Sequence, residues 1–514
     1  MRHAMVQSLG LGIDPRSNEP IYRQIFDQVA SRIRSGAFSA GFRLPPSRSL
    51  AEALGTNRNT VVRAYDDLLA AGFVESTVGR GTYVSRQQPA VSKGGAAVHP
   101  PAAPGELPWS TLIARAALAE PLSRVERLQR SVSGMSTDTI NLARMEPSPD
   151  QIPDDLLRRC ADHALRTQGA RALGYSTPEG LPRLRGLIAQ DLARQGVPAT
   201  SEDIVVTSGS QQALDLIARG LINPGDPFIV NQSTYGGAIN VLTAAGARLV
   251  PVASDDEGPS LGALERVAHI GAKGMYLMPS GHNPTGVSIS QPRREALVAW
   301  SRRTSVPLIE DDYVADLDLE GGQAPAPLRA LDRDVVYVGT FSKRLSPALR
   351  VGFIVTPPAL RSKIIGLKHA VDLGNSTLLQ HLLAEFLERG YLVAHLSKSI
   401  PEYRRRRDAL EDALRRHLPK DLIWLRPRRG LSLWLPLPPP LSPATVFEEA
   451  QRKGVLVHPS SLNAVEEGAA AGIRLTFCTE PGPRLVEGAR RLGRALAGLG
   501  RARGNETIPA MGGV

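Results

Sequence analysis

Residues 89–108 constrain the fold of this chain more than any other segment, because they divide it into two parts of unequal length. They read PAVSKGGAAVHPPAAPGELP, which is rich in proline, glycine and alanine and almost free of charge. That composition is typical of a semi-extended linker and not of a packed element. We therefore predict a linker over 86–110 that joins an N-terminal domain of about 85 residues to a body of about 400.

Positive charge is concentrated in the shorter part. Residues 1–86 contain eleven arginines, no lysine and seven acidic residues, so they carry +4 of the +11 of the whole 514-residue chain. Arginine binds phosphate and carboxylate groups through a planar fork of donors, so its concentration here favours a polyanionic partner. A basic protein without such a partner is the alternative.

The shorter part has the sequence pattern of a winged helix-turn-helix. Apolar residues recur at four-residue spacing from Ile21 to Ile33, which predicts a helix with one buried stripe. Two shorter helical segments follow, ending at Gly55 and Gly72, and the run FVESTVGRGTYV predicts two strands around a tight turn. Two short helices and a hairpin are typical of domains that place the second helix in the major groove of DNA.

Polar side chains at the front of that second helix are candidates for reading DNA. Arginine pairs with guanine or phosphate, amides pair with adenine, and hydroxyls bind phosphate. Asparagine and threonine are also ordinary residues at a helix N-terminus, so a capped surface helix is the alternative interpretation. With one arginine on the preceding helix and one at the hairpin turn, the DNA-binding candidates are Arg48, Asn57, Arg58, Asn59, Thr60 and Arg80.

The longer part alternates short apolar runs with helical patterns. The runs read DIVVTSG, DPFIVNQ, KGMYLMP, VPLIEDDY and VVYVGTFSK. Strand-length runs separated by helices indicate an α/β fold with a mainly parallel sheet. Because ligands of such sheets bind at the carboxyl ends of the strands, polar residues at those ends are the candidates for chemistry.

One lysine has a setting that indicates chemistry. Of the eight lysines in the chain, Lys343 follows the apolar run VVYVGT, within TFSKRLSPALRVGF. Loss of water at the end of a buried strand lowers the pKa of a lysine, and a neutral amine can form a Schiff base with an aldehyde. A surface lysine is the alternative, so the neighbouring residues decide between the two.

The neighbours fit pyridoxal phosphate (PLP). This cofactor needs a lysine for its aldehyde, an acid for its ring nitrogen and donors for its phosphate. A pair of aspartates follows the strand VPLIE, and the helix after IVVTSG offers free N–H groups at its start. The candidates are Ser210, Gln211, Tyr235, Asn283, Asp311 or Asp312, Tyr313, Thr340, Ser342 and Arg350.

Both parts resemble known families. The run GFRLPPSRSLAEALGTNRNTVVRAYDDLLAAGFVESTVGRGTYV resembles the winged helix of the GntR family of bacterial regulators, a resemblance that covers 18–85. Over 138–500, the motifs YSTPEGLPRLR, TSGSQQAL, HNPTG, EDDY, TFSKRLSPALRVG and IRLTF resemble the fold-type I aminotransferases of class I/II, which implies a smaller C-terminal subdomain. The two parts in this order resemble the MocR subgroup of GntR regulators.

The aminotransferase resemblance implies a role for each candidate. Lys343 would form the Schiff base with PLP and Asp311 would pair with the ring nitrogen, although Asp312 stays open because the family's spacing to the tyrosine varies. The remaining implied roles are contact with the phenolic oxygen for Tyr313 and Asn283, stacking on the ring for Tyr235, phosphate binding for Ser210, Gln211, Thr340, Ser342 and Arg350, and binding of an effector's α-carboxylate for Arg474.

The MocR resemblance implies a head-to-tail homodimer that binds double-stranded operator DNA. The expected function is a transcriptional regulator that senses PLP, or a small amine or amino acid, through Schiff-base exchange at Lys343. An active aminotransferase with a DNA-binding appendage is the alternative, and PLP as the sole ligand is a third possibility. Some members that sense ω-amino acids carry an arginine where this chain has Gly237, so a second carboxylate is bound elsewhere or is absent.

The remaining composition excludes several classes of site. Cys160 and Cys478 lie far apart, so a disulfide framework or a structural zinc site is not expected, and a reducing compartment is. The chain has no run of about 18 apolar residues and no N-terminal apolar segment of signal-peptide length. We therefore expect a cytoplasmic protein without a metal or a membrane partner.

Overall fold

The structure is a computed structural model that forms two compact units, Met1–Pro108 and Trp109–Val514. It describes residues 13, 20–34, 38, 41–70, 73–77, 81–85, 107, 109–124, 136, 138–314, 316–322, 324–466 and 468–504. Most of the predicted linker over 86–110 lies outside these residues. None of the helices within them is both long and apolar enough to cross a membrane.

The smaller unit is a winged helix-turn-helix. The stripe predicted on its first helix is buried, with Ile25, Val29 and Ile33 at most 2% exposed. The two strands pair antiparallel, Val74 opposite Val84, and form the wing. The elements are α1 (Ile21–Arg34), α2 (Ser47–Leu54), α3 (Arg58–Ala70), β1 (Val74–Thr77) and β2 (Gly81–Val84).

The larger unit alternates strands and helices, as the sequence predicts for an α/β fold. Its elements are α4 (Trp109–Leu112), β3 (Ile140–Asn141), α5 (Asp154–Gln168), α6 (Pro182–Arg194), β4 (Ile204–Thr207), α7 (Ser210–Leu221), β5 (Pro227–Asn231), α8 (Gly236–Ala244), β6 (Arg248–Val252), β7 (Ser254–Asp255), β8 (Gly258–Pro259), α9 (Leu261–Arg266), β9 (Met275–Leu277), α10 (Gln291–Thr304), β10 (Leu308–Asp312), α11 (Leu328–Leu331), β11 (Val336–Thr340), β12 (Gly352–Val355), α12 (Pro358–Asp372), α13 (Thr377–Glu388), α14 (Tyr391–His417), β13 (Ser432–Pro436), α15 (Pro443–Arg452), β14 (Val455–Leu456), β15 (His458–Pro459), β16 (Gly472–Thr476) and α16 (Gly482–Gly504).

The central sheet positions the site. Its seven strands lie in the order β4-β12-β11-β10-β9-β5-β6, and all are parallel except β12, which runs antiparallel to both of its neighbours. The carboxyl ends of the parallel strands therefore meet at one edge. Because β12 runs the other way, it begins at that edge and places Arg350, two residues before the strand, among those ends. Strands β4, β10 and β11 are buried along their whole length, which explains their continuous apolar runs.

A C-terminal subdomain follows the long helix α14. Its three strands lie in the order β13-β16-β15 and pair antiparallel, and α14 packs against the last helix, α16. Strand β16 lies in the middle of this sheet and carries Arg474 opposite His458. The subdomain thus presents an arginine from a fully buried strand.

Candidate functional site

A cavity of about 650 Å³ lies at the carboxyl edge of the central sheet. The strand ends that meet there belong to β4, β5, β9, β10 and β11, and the C-terminal subdomain contributes one wall through β16. All eleven residues that the sequence predicts for cofactor and effector contact line this cavity, namely Ser210, Gln211, Tyr235, Asn283, Asp311, Tyr313, Thr340, Ser342, Lys343, Arg350 and Arg474. Residues up to 264 positions apart in sequence are thereby brought to one cavity.

Lys343 lies three residues after the end of β11 and lines the cavity. Its Nζ donates a hydrogen bond to the main-chain oxygen of Met145, which also lines the cavity. Burial lowers the pKa of Lys343, and the nearby Arg474 charge lowers it further. The amine is therefore easier to deprotonate than an exposed lysine, as a nucleophile requires.

The two aspartates that end β10 point to opposite faces of the sheet, because side chains alternate along a strand. Asp311 lines the cavity, whereas Asp312 accepts a hydrogen bond from Tyr337 at 3.0 Å and does not line it. Oδ2 of Asp311 accepts from the hydroxyl of Tyr276 at 2.7 Å, but its buried Oδ1 has no hydrogen-bond partner among the described residues. Burial raises the pKa of Asp311 to about 7.

The start of α7 and the start of β12 form an anion-binding corner. The main-chain N–H groups at Ser210 and Gln211 open the helix, and the guanidinium of Arg350 lies beside them and donates to Ser208 O at 2.8 Å. Gly209 precedes the helix with φ +81°, and a Cβ there would come within 2.8 Å of Arg350 Nη2. Only glycine suits both this backbone conformation and this close approach.

The hydroxyls that the sequence assigns to the same corner lie at the end of β11. Thr340 Oγ1 lies 3.1 Å from Ser342 Oγ and accepts a hydrogen bond from Ser342 N at 3.2 Å. Both side chains are buried and both line the cavity. Together with Arg350 and the α7 N-terminus, they form a polar wall suited to a phosphate group.

Arg474 orients the amide of Asn283. Its Nη1 donates to Asn283 Oδ1 at 2.8 Å and its Nη2 donates to Ala143 O at 2.7 Å, while its buried Nε has no partner among the described residues. Burial lowers the pKa of Arg474 to about 10. Because Asn283 Oδ1 is occupied, its NH₂ group remains as a donor towards a ligand.

Tyr313 and Tyr235 lie in the cavity with their hydroxyls already bonded to protein. Tyr313 Oη donates to Gly281 O at 2.6 Å, so its oxygen remains as an acceptor. Tyr235 Oη donates to Gln211 Oε1 at 3.1 Å, and Gln211 Nε2 donates to Gly237 O at 2.9 Å. A Cβ at Gly237 would lie 2.4 Å from Cζ of Tyr235, so this ring position excludes any side chain at 237.

The sequence reasoning missed several residues of the cavity wall. His458 has its Nε2 2.7 Å from Asn463 Oδ1, and burial, followed by the charge of Arg474, holds the pKa of His458 well below its usual range. Arg124 and Pro121 enter from a helical stretch over 120–124, ahead of the predicted domain start. No local pattern marks any of these four, because none follows a strand of the central sheet.

In the smaller unit, the DNA-binding candidates lie around the start of α3. Arg48, Asn57, Arg58 and Asn59 are exposed and Thr60 is half-buried, while Arg80 lies outside the described residues. Asn57 Oδ1 accepts from Asn59 N at 3.0 Å, so this side chain caps the helix as the alternative reading expects. The guanidinium of Arg63, one turn on, stacks on the ring of Tyr22 at 3.9 Å and is exposed. The side chains of Arg48, Arg58 and Asn59 are therefore the exposed candidates on this surface.

Comparisons with known families match both units. The family described as aminotransferase class I and II matches residues 137–489. The family described as bacterial regulatory proteins, gntR family, matches residues 21–84. The two matches do not overlap, and each falls within one of the two compact units.

Individual relatives include whole-length regulators. The HTH-type transcriptional regulator YdfD of Bacillus subtilis is 31% identical over 93% of this chain and 97% of its own. The probable rhizopine catabolism regulatory protein MocR of Rhizobium meliloti is 32% identical over 95% of this chain and 96% of its own. Among solved structures, the α-aminoadipate aminotransferase LysN of Thermus thermophilus, complexed with N-(5'-phosphopyridoxyl)-L-leucine, matches with a TM-score of 0.71 and 32% identity over 77% of this chain and 100% of its own.

Proposed function

The chain belongs to the MocR subgroup of the GntR family, in which a winged helix is fused to an aminotransferase class I and II domain, and we propose on this basis that it is a PLP-dependent transcriptional regulator. The aminotransferase-like domain senses PLP, a small amine or an amino acid through exchange at Lys343, and the winged helix binds operator DNA. The proposed domains span 18–85 and 138–500, with the linker over 86–110. A regulator of transcription works where the chromosome is, so we place the protein in the cytoplasm.

The residues present fit PLP. The buried Oδ1 of Asp311 needs a donor, and a protonated ring nitrogen is a donor that would also lower the pKa of this carboxyl. The corner formed by Arg350, Gly209 and the start of α7 suits a phosphate group. When bound, PLP supplies an aldehyde that bonds to amines and a ring that withdraws electrons.

The side chains that line the cavity would have separate roles toward the cofactor and the effector. Lys343 would hold the cofactor through Nζ, and its amine could carry a proton whenever an effector amine took its place. Asp311 would pair with the ring nitrogen, and the Asn283 amide would donate to the ring oxygen. Arg474 would bind the effector's α-carboxylate through the adjacent guanidinium edge and its Nε, which has no hydrogen-bond partner among the described residues. Tyr235 offers its ring for stacking.

The observation that carries the proposal is the joint presence of this cavity and a DNA-binding unit in one chain. The two regulators named above match more than nine-tenths of the chain, whereas the aminotransferase LysN covers 77% of it. A ligand shifts an equilibrium only by its difference in affinity for two states, so effector binding must favour one arrangement of the DNA-binding units. We propose that these states belong to a head-to-tail homodimer.

Operator binding by the full-length protein tests the proposal. The affinity for the DNA upstream of its own gene is measured by fluorescence anisotropy, with PLP and an amino acid panel added separately. We expect at least one of them to change the affinity about tenfold or more, within the usual range of coupling between sites. Lys343→Ala should abolish both the PLP absorption band and this response, while Lys363→Ala, at an exposed lysine of α12, should retain both.

Two outcomes contradict the proposal. One is an unchanged, effector-dependent operator affinity in Lys343→Ala. The other is keto-acid production from the panel at about 1 per second or faster, which lies in the ordinary range of enzymes, together with operator binding that no ligand alters. The second result would support an aminotransferase with a DNA-binding appendage.

A further inference from the structure

The cavity has more positively charged side chains than are needed to bind PLP and one α-carboxylate. The described residues that line it include four lysine or arginine side chains and a single carboxylate, Asp311. Under the proposed function, Lys343 binds the aldehyde carbon, Arg350 the phosphate and Arg474 the α-carboxylate. The fourth basic side chain, Arg124, has no role in that assignment.

Arg124 is fixed in place by main-chain atoms from the far end of the chain. Its Nη1 donates to Ser461 O at 2.9 Å and to Ala464 O at 3.0 Å, more than 330 positions away in sequence. Its Nε lies 2.6 Å from a carboxylate oxygen of Glu120. These contacts engage Nη1 and Nε, and Nη2 carries two further donors.

The acidic neighbour of Arg124 does not line the cavity. The side chain of Glu120 is 45% exposed and does not line the cavity, whereas that of Arg124 is 30% exposed and does. Because only Arg124 of this ion pair lines the cavity, an anionic group inside would meet the guanidinium and not the carboxylate of Glu120. An anionic group inside the cavity would be attracted to Arg124.

The loop that holds Arg124 is bonded to the segment that carries the stacking tyrosine. Thr234 N donates to Asn463 O at 2.9 Å, and Asn463 Nδ2 donates to Thr234 O at 2.8 Å. These two hydrogen bonds hold the loop against Thr234, the residue before Tyr235. Arg124 is therefore placed at a set position relative to the ring of Tyr235, on the side of the cavity formed by Pro121 and Leu462.

The tight packing at Gly237 leaves no room for a side chain at that position with Tyr235 and Gln211 as they lie. A side chain at 237 would collide with the Tyr235 ring and with Gln211, so an arginine cannot enter the cavity from that position while the ring stays in place. Arg124 supplies a guanidinium to the same cavity from a different element. An arginine also binds carboxylates and other oxyanions in a directed way, unlike a lysine point charge.

We propose that Arg124 is a specificity-determining residue that binds a second anionic group at the side-chain end of the effector. This inference rests on the proposed function, and it names the effector class as amino acids with an acidic side chain. Such an effector places its amine at Lys343, its α-carboxylate at Arg474 and its second oxyanion at Arg124.

Matched amino acid pairs test this assignment in the full-length, PLP-loaded protein. Dissociation constants are measured from the change in the PLP absorption band for L-aspartate against L-asparagine and for L-glutamate against L-glutamine. We expect the acid of at least one pair to bind about tenfold or more tightly than its amide, because a charge-assisted hydrogen bond is stronger than a neutral one. Arg124→Gln should remove this preference, because it should weaken binding of the acid much more than binding of the amide.

The controls separate a ligand contact from a structural one. Arg158→Gln, at an arginine of α5 that is 69% exposed, should leave every constant unchanged. Arg124→Lys should retain part of the preference, because it keeps the charge and loses the planar fork. An equal loss of acid and amide binding in Arg124→Gln would assign Arg124 a purely structural role and overturn the inference, as would the absence of any acid preference in the wild type. If no amino acid changes the absorption band at all, the amine-sensing part of the proposed function fails instead.

Discussion

The side chain of Gln212 holds the main chain of Ser208, because Gln212 Oε1 accepts a hydrogen bond from Ser208 N at 2.7 Å. The other end of the same amide is also fixed, since Gln212 Nε2 donates to Asp372 Oδ2 at 2.7 Å. Asp372 in turn binds the ammonium of Lys368, a fully buried lysine, at 2.7 Å. Ser208 O accepts a hydrogen bond from Arg350, so this chain of bonds ends at the predicted phosphate corner.

We therefore predict that Gln212 positions the phosphate corner without lining the cavity. Gln212→Leu should raise the dissociation constant of PLP about fivefold, because one positioning hydrogen bond of about 1 kcal/mol is lost. Binding of pyridoxal, which lacks the phosphate, should change much less. Spectroscopic titration with both compounds measures the difference. Gln190→Leu, at an exposed position of α6, is the matched control. If Gln212→Leu lost the same affinity for PLP and for pyridoxal, a role at the phosphate would be ruled out.

Asp311 should make the stability of the cofactor-free protein depend on pH. Burial raises its pKa to about 7, whereas an unfolded chain has a value of about 4. Between these two pH values the folded state keeps a proton that the unfolded state has lost, so stability falls as the pH rises through this window. Asp311→Asn removes this titration.

Urea unfolding of the cofactor-free protein at about pH 5 and pH 7.5 measures the effect. We expect the loss of stability between the two to be smaller in Asp311→Asn by about 1 kcal/mol or more. Part of the dependence should remain, because burial and then the neighbouring Asp312 raise the pKa of Glu310 to about 7 as well. Identical losses in the variant and the wild type would show that Asp311 is not held in this environment.

Gly209→Ala should impair PLP binding while leaving the fold intact. The substitution places a Cβ 2.8 Å from Arg350 Nη2 and forces a residue with φ +81° into a conformation that costs about 1 kcal/mol or more. We expect the affinity for PLP to fall at least tenfold in a spectroscopic titration. Gly366→Ala is the control, because a Cβ there meets no atom within 4 Å and α12 favours alanine over glycine. Equal PLP affinity in both variants would contradict the proposed phosphate corner.

Arg48→Ala should weaken DNA binding through the phosphate backbone. Arg48 is exposed on α2, and one lost phosphate contact lowers the slope of log affinity against log salt concentration by about 0.9. Operator and unrelated DNA should be affected similarly, because phosphate contacts carry no sequence information. Anisotropy titrations at several salt concentrations measure the slope. Arg63→Ala serves as the comparison, because that guanidinium stacks on Tyr22. A larger change of slope in Arg63→Ala than in Arg48→Ala would assign the phosphate contact to Arg63 instead.

The sequence by itself determined the architecture and most of the cavity. The linker composition separates two units, and the strand-length apolar runs predict a parallel sheet whose polar strand ends meet at one edge. The topology of a parallel sheet brings such ends together whatever the side chains are, so Lys343, Asn283 and Tyr235 could be assigned to one cavity from local patterns alone.

Only the tertiary structure decided which face of β10 the cavity lies on. Side chains alternate along a strand with a period of two, so adjacent aspartates always face opposite ways and the sequence cannot say which one faces inwards. The packing of the sheet brings Asp311 to the cavity and leaves Asp312 with Tyr337. Arg124 is a similar case, because its position is set by carbonyl groups of a loop 337 and 340 residues away. Contacts at that separation arise from the packing of whole elements, and no local pattern encodes them.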